Sequence, residues 1–269
     1  MVRAVLALLA AGCVPGTDFA GTAYRCDVDP TCPDGFVCTG GVCLAPGDDG
    51  DGSGDALVPA GTVVMGCEAG AACADDAQPE HEVSLAAFAI DRTEVTEAAY
   101  ADCVADGGCE AVGGAGEAAD LPMRNLRWSE AAAFCAWRGA RLPTEAEWER
   151  SARGSDARRF PWGDDGATCS RAALAGCASE PVAVGDLDGD GPFGSADLVG
   201  NVAEWVADYY QSDYYAQAPA SNPSGPAAGG ERVVRGGSYL DDPADASAWM
   251  RRHADPLNAL VDVGFRCAD

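Results

Sequence analysis

The chain has 269 residues and a formal charge of −26, from 43 acidic and 17 basic side chains, and every basic residue is an arginine. Such a surface opposes binding to a phosphate backbone or to anionic headgroups, both of which need clustered cations. The absence of lysine excludes Schiff-base chemistry and a P-loop phosphate clamp, while an apolar share of 48% is ample for a packed core.

Met1-Val2-Arg3 supplies one positive charge, Ala4 to Ala11 an apolar run, and Gly12-Cys13 a small-residue cleavage site. This is the plan of an export signal over 1–12. The run is far shorter than the roughly 20 residues a membrane-spanning helix needs. Leu9-Ala10-Ala11-Gly12-Cys13 resembles a bacterial lipobox, with Ala10 in place of the usual leucine. That resemblance implies a lipid on Cys13 and an exported protein, anchored to the membrane at the cell envelope or surface.

Setting Cys13 aside leaves twelve of the 13 cysteines, an even number. In an oxidising compartment they are expected to form disulfides. Close spacing pairs Cys67 with Cys73, Cys103 with Cys109, and Cys169 with Cys177. No Cys-x-x-Cys occurs, so zinc-ribbon and thioredoxin motifs are unsupported.

Residues 13–24 read as a tether from the lipidated cysteine. Residues 25–43 hold Cys26, Cys32, Cys38 and Cys43 among turn signals (Pro33-Asp34-Gly35, Gly40-Gly41). So short a segment cannot bury a core, and disulfides are expected to hold it. Their connectivity is open, and metal binding is the alternative. Residues 44–57 form a flexible, self-repelling Gly/Asp linker.

The main domain runs from 58 to 269. Val58 to Gly66 reads as a strand, and Val83 to Asp91 as another. Thr96 caps a helix over about 97–105. Ser129 caps a second over 130–138, ended by Gly139. Thr144-Glu145-Ala146-Glu147 is a capping box that opens a third helix ending near Gly154. Beyond 155 glycine and proline recur and periodicity fades, so an irregular, loop-rich fold helped by disulfides is expected.

Five strings fall in one order: Arg141-Leu142-Pro143-Thr144-Glu145-Ala146-Glu147-Trp148-Glu149, Phe160-Pro161-Trp162-Gly163, Gly200-Asn201-Val202-Ala203-Glu204-Trp205, Arg235-Gly236-Gly237-Ser238-Tyr239 and Gly264-Phe265-Arg266-Cys267. Met65-Gly66 and Asp91-Arg92-Thr93-Glu94-Val95-Thr96 precede them. Together they resemble the formylglycine-generating enzyme family, also called sulfatase-modifying factors, over essentially all of 58–269. The resemblance implies an α+β, C-type-lectin-like fold, loop-rich and disulfide-pinned, here preceded by the small Cys-rich module. It also implies a disulfide between Cys135 and Cys267.

The family's oxidases bind Cu(I) and engage a substrate cysteine through two cysteines just after the Arg-Gly-Gly-Ser-Tyr string. Thiolates suit this ion because both are soft. Asp241 and Ala246 stand at those positions, so copper and formylglycine generation are not expected. The cleft would keep Ser238, Asp241, Trp205 and Arg252. A second branch uses non-heme iron. Iron here would need His81 and His253, the only histidines, with Asp241 or Asp242. A third branch, in siderophore chromophore maturation, lacks the cysteine pair.

The family resemblance further implies calcium at Gly200, Asn201, Val202 and Glu204. A second acidic loop has Asp186, Asp188 and Asp190 at alternating positions, a following glycine, and Asp197 at the twelfth. Residues 180–213 hold eight acids and no arginine, which is the physical motive for a cation. The tyrosine-rich Asp208 to Tyr215 suits either a recognition surface or packing under the Pro-rich stretch at 219–226.

The expected whole is a cell-envelope lipoprotein. It is tethered to the membrane through its lipid, has no nucleic-acid partner, and presents a non-oxidising domain to a protein or peptide ligand. The alternative is an active oxidoreductase of the same superfamily, formylglycine-generating or iron-dependent, with a different residue set.

Overall fold

The computed structural model describes residues 54–68, 73–113, 115, 116 and 118–269, and the backbone of two short strands before them. Those strands, β1 (Val37–Thr39) and β2 (Val42–Leu44), form an antiparallel hairpin with Cys38 opposite Cys43. The expected signal, Cys13, the tether, most of the linker and the Cys26, Cys32, Cys38 and Cys43 bridges lie outside the described residues. No described helix is long and apolar enough to cross a membrane.

The two strands expected from the apolar runs are four. β3 (Asp55–Val58) pairs with β6 (Phe88–Asp91), and β4 (Gly61–Met65) pairs with β5 (His81–Leu85), all antiparallel. Pro59 breaks the first run, because proline cannot donate to a ladder. Asp55 lies opposite Asp91, so the folded unit begins three residues before the expected boundary at 58.

Helix α1 (Glu97–Ala105) is capped by Thr96, whose Oγ1 accepts from the Ala99 amide at 3.1 Å. α2 (Trp128–Trp137) begins before the expected Ser129 cap. Glu130 Oε2 takes the Arg127 amide at 2.6 Å and moves the helix start upstream. α3 (Glu145–Arg153) opens on the reciprocal box of Thr144 and Glu147 and closes at Gly154, whose φ is +62°.

The region that lacked periodicity carries the largest sheet. Its strands are β7 (Ala203–Tyr209), β8 (Arg232–Arg235), β9 (Arg251–Ala254) and β10 (Val263–Phe265), in the order β10-β7-β8-β9. β10 runs parallel to β7, and the other pairs are antiparallel. β7 is buried along most of its length, and β8 and β10 are three or four residues long. Runs like these carry no alternation to read.

Two buried ionic knots lock α3 and the C-terminus to this sheet. Arg235 reaches Glu149 at 2.7 Å and Glu145 at 3.2 Å, and Arg251 Nε meets Glu145 at 2.7 Å. Arg266 forks onto Glu204 at 2.7 and 2.8 Å, and Trp148 Nε1 donates to Glu204 Oε2 at 2.8 Å. All four described disulfides match the expected pairs: Cys67–Cys73, Cys103–Cys109, Cys135–Cys267 and Cys169–Cys177. Cys135–Cys267 ties α2 to the last residues across 132 positions.

Candidate functional site

β8 ends at Arg235, and the chain turns through Gly236 and Gly237 with φ of +89° and +70°. A Cβ on Gly236 would also come within 3.1 Å of the Trp148 ring, so both the conformation and the space call for glycine. The turn delivers Ser238, which is fully buried. Its amide donates to Asp241 Oδ2 at 2.7 Å, and its Oγ lies 2.9 Å from the same oxygen and 3.1 Å from Asp262 Oδ2. A hydroxyl has one proton and serves one carboxylate at a time.

Arg252 on β9 binds both acids. Nη1 is 3.1 Å from Asp241 Oδ2 and Nη2 is 2.9 Å from Asp262 Oδ2. Three segments therefore meet here: the loop after β8, strand β9, and the residue before β10. Asp262 was not singled out in the sequence. Its only signal was adjacency to the Val263-Gly264-Phe265-Arg266 run.

Ser238, Asp241 and Arg252 are brought together as expected of one cleft, but Trp205 is not with them. It is fully buried, with Nε1 donating to the Leu126 carbonyl at 3.2 Å, and belongs to the core. Ala246 is also fully buried, in the apolar group that holds Trp148 and Phe160. A carboxylate held by three donors and a buried methyl do not fit Cu(I), which needs soft thiolates. The eight described cysteines are all in disulfides.

The iron set His81, His253 and Asp241 or Asp242 is not assembled. His81 packs its ring on Tyr215 at 4.8 Å, with Nδ1 3.0 Å from the Pro79 carbonyl. His253 stacks on Tyr210 at 3.9 Å, with Nδ1 3.0 Å from Glu231. Asp242 Oδ1 accepts the Ala244 amide in its own turn. Among the described residues no three His, Cys, Asp or Glu side chains form a metal-ligand group.

The expected calcium set of Gly200, Asn201, Val202 and Glu204 is altered. Asn201 spends its amide on Glu94 Oε1 at 3.1 Å and its Oδ1 on the Val182 amide at 3.0 Å, while Glu204 is forked by Arg266. The second set also divides. Asp186, Asp188 and Asp190 are exposed on their loop, whereas Asp197 is buried with Oδ2 accepting the Gly185 amide at 2.6 Å. Asp197 still feels the Asp190 charge, and it also lies in the electrostatic neighbourhood of Glu94, Glu204 and Arg266.

That neighbourhood holds three buried carboxylates against one guanidinium. Glu94 Oε2 is buried without a donor. Burial, then the Asp197 charge, pushes the Glu94 carboxyl well above its usual range. Burial likewise pushes Asp197 up to about 6. An orphaned carboxylate oxygen beside two further acids suits a hard cation with oxygen ligands. Glu94 was quoted only within a family string, and nothing local marked it as part of a site.

The tyrosine-rich segment is largely structural. Tyr214 and Tyr215 are buried in the core group of Met65, Phe88 and Ile90. Tyr210 bonds Asp76 at 2.8 Å, and Tyr209 lies under the Arg232 guanidinium at 3.5 Å.

With this geometry in place, known proteins give a consistent answer. The model of the sulfatase-modifying factor enzyme 1-like domain matches residues 46–269. The chain belongs to this family. It is similar to the formylglycine-generating enzyme of Streptomyces coelicolor, 36% identical over 167 residues, covering 55% of this chain and 52% of that protein. The hercynine oxygenase of Mycolicibacterium smegmatis is 29% identical over 278 residues, covering 85% of this chain and 64% of that protein. The chain thus spans about half to two thirds of the length of these relatives. Among solved structures, PvdO from Pseudomonas aeruginosa superposes with a TM-score of 0.68 at 26% identity, covering 79% of this chain and 92% of that one. The fold is therefore the disulfide-pinned α+β fold of the family. Variable protein 1 of Treponema denticola shares it, with a TM-score of 0.66 at 22% identity over 87% of this chain.

Proposed function

We propose that the protein is an exported lipoprotein, anchored through Cys13, whose sulfatase-modifying-factor-like domain binds a peptide or protein at the cell envelope without copper-dependent oxidation. The observation that carries this reading is the fate of the two cysteine positions. Asp241 is locked to Ser238 and Arg252, and Ala246 is sealed in the core. The knot that replaces the thiol site is charged and fixed by three chain segments, which suits recognition rather than redox turnover.

Calcium is the proposed structural ion, taken by the donor-free Oε2 of buried Glu94, with Asp197 and Glu204 supplying negative charge around it rather than a preformed ligand set. Its role would be to offset buried negative charge where three chain segments meet. The exposed Asp186–Asp190 loop carries no proposal.

Elemental analysis of the membrane-extracted protein, with a free-thiol count, tests the reading. Calcium with neither copper nor iron, and no free thiol beyond an unlipidated Cys13, agrees with it. Stoichiometric copper or iron would overturn it. Anchoring is tested separately: Cys13→Ser should move the protein out of the membrane fraction.

A further inference from the structure

Among the described residues four large apolar side chains are exposed: Trp137, Leu240, Leu257 and Val261. Three of them lie on the two segments that supply the aspartates of the knot. Leu240 immediately precedes Asp241, Val261 immediately precedes Asp262, and Leu257 sits in the turn at the start of the same loop. Their exposures, 55%, 54% and 73%, are high for leucine and valine. Exposed apolar side chains on the segments that carry one charged centre suit a recognition surface.

The two segments are held rigidly. Arg252 binds Asp241 and Asp262 together, and the Ser238 hydroxyl lies between them. Arg124 Nη1 donates to the Val261 carbonyl and Arg127 Nε to the Leu257 carbonyl, each at 3.2 Å. The loop that carries Leu257 and Val261 is thus fastened to the segment before α2. Such a surface loses little entropy on binding.

Its charge selects the occupant. The knot has two carboxylates and one guanidinium. Ser238 and Arg252 use Oδ2 of both aspartates, and Oδ1 of each takes no donor from the described residues. The flanking arginines are committed to acids, Arg124 to Glu180 at 3.6 Å and Arg127 to Glu130 at 3.7 Å. One unit of negative charge is therefore left on segments that also expose Leu240, Leu257 and Val261.

We propose that this surface binds a partner's peptide segment in which a lysine or arginine lies beside apolar residues. The cation would meet Oδ1 of half-buried Asp241, with the buried Asp262 adding its charge from behind, and the apolar neighbours would cover Leu240, Leu257 and Val261. The proposal rests on the binding-module reading and adds what the module binds. A neutral thiol gains nothing from a carboxylate here, and an acidic side chain is repelled.

The test is fluorescence anisotropy of the full-length chain in detergent, with fluorescein-labelled nonapeptides. Each has a Leu-Xaa-Leu centre and Gly/Ser flanks, with Xaa lysine, arginine, norleucine, glutamate or cysteine. The lysine and arginine peptides are expected to bind about tenfold more tightly than norleucine, with glutamate weakest. Asp241→Asn keeps an acceptor for Ser238 and Arg252 but removes the charge, and should erase the preference. Leu240→Ser alters only an exposed side chain and should weaken the lysine peptide several-fold, which keeps the test valid if the first variant misfolds. Equal affinity for lysine, norleucine and glutamate, or no binding by any peptide, overturns this proposal while leaving the non-oxidising reading intact. Conversion of the cysteine peptide to an aldehyde overturns that reading itself.

Discussion

Arg252 Nη1 donates to Asp241 Oδ2 across 3.1 Å, at the position where the family resemblance implies a copper-binding thiol in the oxidases. Two more donors, the amide and hydroxyl of Ser238, converge on the same oxygen. The substitution is thus a built-in structural element. Asp241→Ala would leave Arg252 with Asp262 alone and strip a bridge between β9 and the loop after β8. The expected loss is about 1–3 kcal/mol of unfolding free energy, read from urea titration followed by tryptophan fluorescence.

The Glu94, Asp197 and Glu204 neighbourhood predicts a calcium effect on stability. Millimolar calcium should raise the thermal midpoint relative to EDTA. Saturation at about 100 times the dissociation constant would correspond to about 2.7 kcal/mol. Glu94→Gln should remove most of that increment, whereas Asp186→Asn on the exposed loop should leave it unchanged. An increment that survives Glu94→Gln but disappears with Asp186→Asn would place the ion on the loop instead.

Asp208 predicts a pH effect of defined sign. It is buried and accepts the Glu145 amide at 2.9 Å. Burial first, then the Glu145 charge, pushes it up to about 8, against a lowering influence of Arg251. Its unfolded value is near 3.9. The folded chain therefore holds the extra proton between about pH 4 and 8, and stability falls as pH rises through that window. Asp208→Asn keeps an acceptor and carries no charge. It should flatten that fall and raise stability at pH 8 by about 1 kcal/mol or more. The check is urea unfolding at pH 5, 6.5 and 8.

Replacing Cys135 and Cys267 together by alanine opens a loop that spans 132 positions. The chain-entropy model puts the loss near 5 kcal/mol, with measured values often lower. Non-reducing urea titration of the double variant is the measurement. Opening Cys169–Cys177, whose partners are only 8 positions apart, should cost less.

The family strings were legible because they build the framework. Glu145, Trp148, Glu149, Glu204, Arg235 and Arg266 are the buried ion pairs and indole contacts that lock α3 to the sheet, and their side-chain types cannot be exchanged without orphaning a charge. Helix starts were legible where a cap is local, as at Thr96 and Thr144. The start of α2 was misread because Glu130 caps from inside the helix. β7, β8 and β10 were missed because strands buried along most of their length have no period, and β9 because four residues at the sheet edge are too few to show one. In the cleft, Asp241 and Arg252 were visible through the family resemblance. Asp262 and Glu94 were not, since each joins its site through contacts far apart in sequence. Trp205 sits one residue after Glu204 in the same string, but the strand turns its indole into the core.

The central claim is that this domain has exchanged a copper thiol site for a fixed carboxylate–guanidinium knot. The most direct measurement is Cu(I) titration of the anaerobically purified protein against a chromophoric chelator. It is followed by aerobic incubation with a cysteine-containing peptide and mass spectrometry of the product. The account predicts no stoichiometric copper and an unchanged cysteine. One copper bound per chain, together with conversion of the cysteine to formylglycine, would contradict it.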